Sequence, residues 1–186
     1  MAISFWAMVN PKGRLQSILM YLLIKKMQIK LTVNEKNVEL DEFLDEEEME
    51  LSPFHFSLIE LSQYVNGYID IVFNDDDKIT LDLFSDFSVC LDDIVDSINA
   101  AKLSSIKKET IWFCEQGSDF YIDYEVKEDV MVLSFRKGKG VGMINKNVSD
   151  FTVEIYNSEY IQHWMKIFDE LATLFERKLN KKCVTI

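Results

Sequence analysis

The residues from 161 to 175 constrain this chain more than any other stretch. Ile161, Trp164, Phe168, Leu171 and Phe175 recur at spacings of three, four, three and four, and Ile167 and Leu174 widen the same stripe. That period is one face of an amphipathic α-helix. Ser158 stands where an N-cap belongs, and Arg177, Lys178, Lys181 and Lys182 suit the negative C-terminal end of the helix dipole. Burying each large side chain of the stripe is worth about 1.5–3 kcal/mol. The helix therefore has to cover a sheet or meet a partner helix.

The rest of the chain supplies the sheet. Residues 28–33 alternate polar and apolar, as a strand with one buried face does. A turn signal at 34–37 precedes a short return strand at 38–40. Residues 41–50 are dominated by charge and read as an exposed loop or a frayed helical turn. Ser52 and Pro53 then open a helix whose apolar face is Phe54, Leu58, Leu61 and Val65, with Gly67 as its stop. Runs at 68–73 and 79–84 flank the polar turn 74–78 and predict a hairpin. A second helix is predicted over about 88–103, capped by Asp86 or Ser88. Strand-like runs at 110–115, 120–126 and 130–135 form a meander, followed by a Gly/Lys-rich loop at 136–147 and a strand at 151–156. Hairpins with interspersed helices, and no repeating βαβ unit, define an α+β fold. The expectation is a mainly antiparallel sheet of about six to eight strands packed by two or three helices, the long C-terminal amphipathic helix among them.

A chain of 186 residues suits one domain, and we assign it to 27–186. Residues 1–26 differ from the remainder, with two apolar runs around a break at residues 11–14. The second run is too short to span a bilayer, and a small-residue cleavage site is missing. They are read as an N-terminal extension outside the core fold, with Met27 a candidate initiator. The alternative is a genuine N-terminal helix packed on the domain, and because bases flank the second run a short helix lying on a membrane surface is a further one.

The 32 acidic residues outnumber the 20 basic ones, giving a formal net charge of −12, and the imbalance is local. Residues 1–34 carry five bases and no acid, residues 35–105 carry 19 acids and three bases, and residues 106–186 carry 13 acids and 12 bases. A negative field of this kind repels nucleic acid and anionic membrane and attracts cationic partners. A surface charged only for solubility would have the same composition. The three cysteines, Cys90, Cys114 and Cys183, are odd in number and widely spaced. They argue against a disulfide framework and for a reducing cytoplasm, with Cys90 and Cys114 as packed apolar thiols.

No motif fixes a reaction. His55 and His163 stand on different predicted helices, with none of the spacings of a zinc site. There is no nucleophile elbow of the Gly-x-Ser-x-Gly kind. The loop from Arg136 to Gly142 has glycines and lysines suited to an anion, yet a strand rather than a helix follows it, so a flexible hairpin connection is expected. Acidic clusters at 41–50 and 75–77 lack the alternating oxygens and bend of a calcium loop. No metal and no cofactor is expected.

These features favour a small acidic protein-binding module that meets a basic protein partner by electrostatic steering. The candidate partner-binding residues are Asp41, Glu42, Asp45, Glu46, Glu47, Glu48, Asp75, Asp76 and Asp77. In size, acidity and lack of catalytic motifs the chain is similar to the immunity proteins of bacterial toxin systems, which are often acidic because they block basic nuclease toxins. The likeness is one of composition and size, and no residue carries a family signature. It implies an inhibitor that neutralises a basic partner. The alternatives are an enzyme whose site is assembled from scattered residues, and a homo-oligomeric structural or regulatory subunit joined through the C-terminal helix.

Overall fold

The computed structural model describes residues 27–182, apart from 39, 46–48, 75, 76, 116 and 143. The reading of residues 1–26 therefore lies outside the described residues. Seven strands, all antiparallel to their neighbours, form two sheets. The first has the order β1-β2-β3, from Gln28–Glu35, Val65–Val72 and Lys78–Asp82. The second is a meander, β4-β5-β6-β7, from Lys108–Phe113, Phe120–Lys127, Val130–Lys137 and Phe151–Tyr156. Helices α1 (Pro53–Leu61), α2 (Leu91–Lys102) and α3 (Asn157–Leu179) pack with them, so the α+β expectation holds. The strands divide into two sheets because the chain leaves β3 through a helical segment and returns only at β4.

The C-terminal stripe does what its period demands. Tyr160, Trp164, Ile167, Phe168, Leu171, Leu174 and Phe175 are all buried. α3 lies against α1, α2, β1 and β7. The Ser97 and Tyr160 hydroxyls meet 2.6 Å apart inside this layer, and burial pushes the tyrosine hydroxyl up to about 12. Ser158 does not cap the helix. The chain enters from Tyr156 without a side-chain cap, and Asn157 anchors it by donating from its backbone N to Asp129 O (2.9 Å) and from Nδ2 to Glu128 O (2.7 Å). Asn180 ends the helix in the left-handed region, at φ 55°.

Aromatic rings join the two sheets. Phe113, Phe120, Phe135 and Phe151 come one from each strand of the second sheet and form a ladder with centroid separations of 4.7, 5.5 and 5.4 Å. Phe73, just beyond β2, continues it with a centroid 5.0 Å from that of Phe151. Asn145, buried in the loop after β6, completes the junction. Its Oδ1 accepts from Thr80 N (3.0 Å) and its Nδ2 donates to Thr80 O (2.9 Å). One amide side chain thus stands in for a neighbouring strand along the edge of β3.

Several sequence expectations are corrected. The first helix stops at Leu61, and Val65 and Gly67 belong to β2. Gly67 is small because Leu83 crosses there: an added Cβ would lie 2.6 Å from Leu83 Cδ2. Residues 38 and 40 form no strand. The β3 strand ends at Asp82, because Asp82 Oδ1 accepts from the amides of Phe84 and Ser85 (both 2.9 Å) and starts a π-helical turn, Leu83–Phe87. Asp86 Oδ2 in turn accepts from Asp82 N (2.9 Å). Neither Asp86 nor Ser88 caps α2, whose N-cap residue is Cys90.

Candidate functional site

The segment after β1 is tied back to the turn between α1 and β2. Lys36 N donates to Tyr64 O (3.1 Å), and Asp41 N donates to Gln63 Oε1 (3.0 Å). The Asp41 carboxylate accepts from Phe43 N (3.0 Å), which closes a local turn. The result is an open groove of about 530 Å³ lined by the acids Asp41, Glu42, Asp45 and Glu60 and by Leu40, Leu44, Phe56 and Tyr64. Phe43 and Leu40 stand exposed beside it, at 91% and 66% of their surface. One cation of this chain already uses the groove wall: Lys181 Nζ lies 2.7 Å from Glu60 Oε2 and 4.6 Å from the centroid of the Phe56 ring.

A second open groove, of about 880 Å³, lies across residues 62–64 from the first. Its walls hold three carboxylates, Asp82, Asp86 and Glu115, with one lysine, Lys36. Ser62, Ser85, Ser118 and Asn66 add neutral polar groups, and Tyr68 and Phe84 add aromatic surface. Burial pushes the Asp86 carboxyl above the ordinary carboxylate range, and Asp82 nearby adds to the rise. Ser118 and the Asp82 amide oppose it.

The expected partner-binding acids are only partly brought together. Asp41, Glu42 and Asp45 share the first groove. Glu46, Glu47, Glu48, Asp75 and Asp76 lie outside the described residues. Asp77 sits in the β2–β3 turn, where its backbone N donates to Asn74 Oδ1 (3.0 Å) and its carboxylate accepts from Asn74 Nδ2. That turn follows Val72, whereas the groove abuts the start of β2 at Val65. Eight strand residues span about 26 Å, well beyond a Debye length of about 8 Å in physiological salt. Two other acids of the 35–105 segment are neutralised from the far end of the chain, Glu35 by Lys178 (2.5 Å) and Glu60 by Lys181 (2.7 Å).

The Gly/Lys loop carries an anion of its own. Gly140 N donates to Asp119 Oδ2 (2.7 Å), and Gly138 N donates to Asp119 O (2.7 Å). An added Cβ on Gly138 would lie 2.2 Å from the Asp119 carboxylate, so close approach explains this glycine. Cys114 is exposed beyond the end of β4, contrary to the expectation of a packed thiol, whereas Cys90 is buried. Burial pushes the Cys90 thiol up to about 12, which leaves it inert at neutral pH. Trp112 is likewise half exposed, because its side chain stands on the uncovered face of the second sheet, stacked on Tyr121.

His55 is a half-buried residue at the start of α1: its amide is held by Ser52 Oγ (3.2 Å) and its Nε2 lies 3.2 Å from Ser88 Oγ. Burial lowers its pKa below 6.5, and Asp92 opposes the shift. A depressed folded-state value means that the unfolded chain takes the proton more readily. The contribution of His55 to stability is thus complete above about pH 6.5 and is lost as pH falls through the folded-state value. The melting-temperature difference between wild type and His55→Asn should shrink from pH 7.5 to pH 5. A difference that stays constant over that range would show that His55 titrates alike in both states.

Among the described residues, no group of three or more His, Cys, Asp and Glu side chains is arranged to hold a metal ion. Also among them, no helix is long and apolar enough to cross a membrane. The acidic second groove is the feature that sequence reasoning missed. Its signal was the pair Asp82 and Asp86, four residues apart directly after a strand, which reads as helix capping and hides the groove. Comparison with models of known families, with curated proteins and with solved structures finds no match for this chain.

Proposed function

We propose that the protein is a binding module for a basic polypeptide, which it engages through the groove beside α1. The observation that carries this reading is the convergence of Asp41, Glu42, Asp45 and Glu60 on one open groove that Leu40, Leu44, Phe56 and Tyr64 also line. Such a groove suits a segment that is cationic on one side and apolar on the other. Lys181 gives the chemistry in miniature, since it pairs with Glu60 while lying over Phe56. A role as an inhibitor of a basic partner, like that of the immunity proteins it resembles in composition, fits this groove, as does a reducing cytoplasm for a chain with an exposed thiol.

The test is a synthetic amphipathic lysine–leucine peptide titrated into the protein at several salt concentrations. Affinity should fall steadily as salt rises. The variant carrying Asp41→Asn, Glu42→Gln and Asp45→Asn should bind about tenfold more weakly at low salt. Affinity indifferent to salt, or unchanged in that variant, would remove the acidic groove as the cause.

The enzyme reading keeps one supporting feature, Asp86, a buried acid in a groove wall; His55, His163 and Cys114 line neither groove. The dimer reading loses the feature on which it was based, because the α3 stripe is covered by its own chain.

A further inference from the structure

We propose that the second groove receives an arginine side chain of the basic partner, with the Asp86 carboxylate as its buried anchor. This rests on the basic-partner reading and adds a second, chemically distinct contact to it. Asp86 is 2% exposed, and its two oxygens differ. Oδ2 accepts from the Asp82 amide at 2.9 Å, whereas Oδ1 makes no well-formed hydrogen bond, the Ser118 hydroxyl being the side-chain donor to this carboxyl. Native folds rarely leave a buried carboxylate oxygen without a well-formed bond, so an acceptor served only by a neutral hydroxyl can take a stronger, charged donor. Ser118, a neighbour of this carboxyl, lines the same groove. Rotation about its single χ1 bond is the small movement that would open Oδ1 to a visitor.

The surroundings select the visitor. Three carboxylates against one lysine exclude an anion and favour a cation. Asp82 is partly committed, since its Oδ1 already holds two amides, but Glu115 makes the rim acidic. Tyr68 and Phe84 offer faces for a flat group to lie on. A guanidinium meets all of these demands at once. It is planar, always charged, less strongly hydrated than an ammonium, and carries five donors in one plane, enough for Oδ1 and a neighbouring acceptor together. A lysine ammonium has no face to stack and loses more hydration on entering.

The experiment uses the whole chain and three short peptides that differ at one central residue: arginine, lysine, or citrulline, which keeps the shape of arginine without its charge. Binding is followed by amide chemical shifts. The arginine peptide should give saturable shifts at Ser85, Asp86 and Ser118, and the lysine and citrulline peptides should bind more weakly. Asp86→Asn should weaken the arginine peptide about tenfold or more, the loss expected for one charge-assisted hydrogen bond. Glu115→Gln, at an exposed position, serves as a second variant and should weaken it about threefold. The variant with Asp41, Glu42 and Asp45 neutralised should leave these shifts in place. Equal binding of arginine and citrulline peptides, or undiminished binding by both Asp86→Asn and Glu115→Gln, overturns the assignment. Shifts confined to residues 41–45 overturn it while leaving the basic-partner reading standing. If neither the arginine peptide nor the lysine–leucine peptide binds at all, both fail together.

Discussion

Replacing Phe168 with alanine should lower the free energy of unfolding by about 3–5 kcal/mol. Phe168 is fully buried on α3, where three elements meet. The Phe54 ring of α1 stands edge-on to it at 5.3 Å, and the Phe87 ring of the π-helical turn lies at 6.0 Å. Phe54 also holds Phe175 about two turns further along, at 5.1 Å. A cavity at this junction is walled by rigid rings on separate elements, so it cannot close by a small shift of one neighbour. Typical domains have a total stability of about 5–15 kcal/mol, so this one change could consume a large fraction of it. Phe168→Leu keeps most of the volume and should cost under about 1.5 kcal/mol. Urea denaturation of the two variants separates the cases. Equal, small losses would mean that the α1–α3 junction is not close-packed, and the positioning of Phe56 and Glu60 in the first groove would then need another cause.

How legible the fold was depends on how many residues had to agree. The C-terminal helix could be read because seven large residues repeat one period, and no strand could bury them all. The strands at 120–126, 130–135 and 151–156 were readable for the same reason, since alternation over six residues sets the buried face. The error at Val65 arose where one residue had to arbitrate. Val65 lies four positions after Leu61 and so fits a helix, but it equally starts the alternation Val65, Gly67, Ile69, Ile71 of β2. Only Leu83, distant in sequence, reveals why residue 67 is glycine. The π-helical turn was hidden for a related reason. The apolar residues Leu81, Leu83 and Phe84 look like one strand until the Asp82 side chain takes the next two amides.

The candidate site was less legible, because composition counts carboxylates without showing which are consumed. Asp82 and Asp86 satisfy backbone amides near them in sequence, and Asp77 accepts from the Asn74 side-chain amide. Glu35 and Glu60 are met by lysines at the far end of the chain, Lys178 and Lys181, which no local pattern connects to them. The acids that line the first groove are a subset, Asp41, Glu42, Asp45 and Glu60, and its apolar lining comes partly from the same segment, Leu40 and Leu44, and partly from Phe56 of α1 and Tyr64 of the turn that follows. The groove therefore exists only once β1 and β2 have paired and brought residues 36–45 beside residues 63 and 64. Electrostatic steering needs the charges alone, whereas a specific contact needs this wall as well. The charged segment was thus visible in the sequence, but the groove that would give it selectivity was not.

Asn145→Ala is expected to cost about 2–4 kcal/mol, more than a surface loop residue ordinarily does, because it strips partners from two backbone groups at once. In the wild type the amide side chain satisfies both the N–H and the C=O of Thr80, and these are the only described contacts made by hydrogen bonds between β3 and the loop after β6. Without it the edge of β3 is unprotected and the junction of the two sheets rests on apolar packing. A cavity of about 50 Å³ beside Asn145 would admit water to the bared groups, which keeps the loss at the lower end of what two orphaned groups would otherwise cost. Asn145→Asp separates the two bonds. Its carboxylate still accepts from Thr80 N but repels Thr80 O, so at pH 7 it should be at least as unstable as the alanine variant. Protonation restores a donor, and the folded chain takes that proton more readily than the unfolded one, so stability relative to wild type should recover as pH falls from neutral and be fully recovered by about pH 4. Hydrogen exchange at the Thr80 amide is the local readout: it should speed up in Asn145→Ala by more than the global loss of stability explains. If the exchange rises only in proportion to that loss, Asn145 does not protect this strand edge, and apolar packing carries the junction.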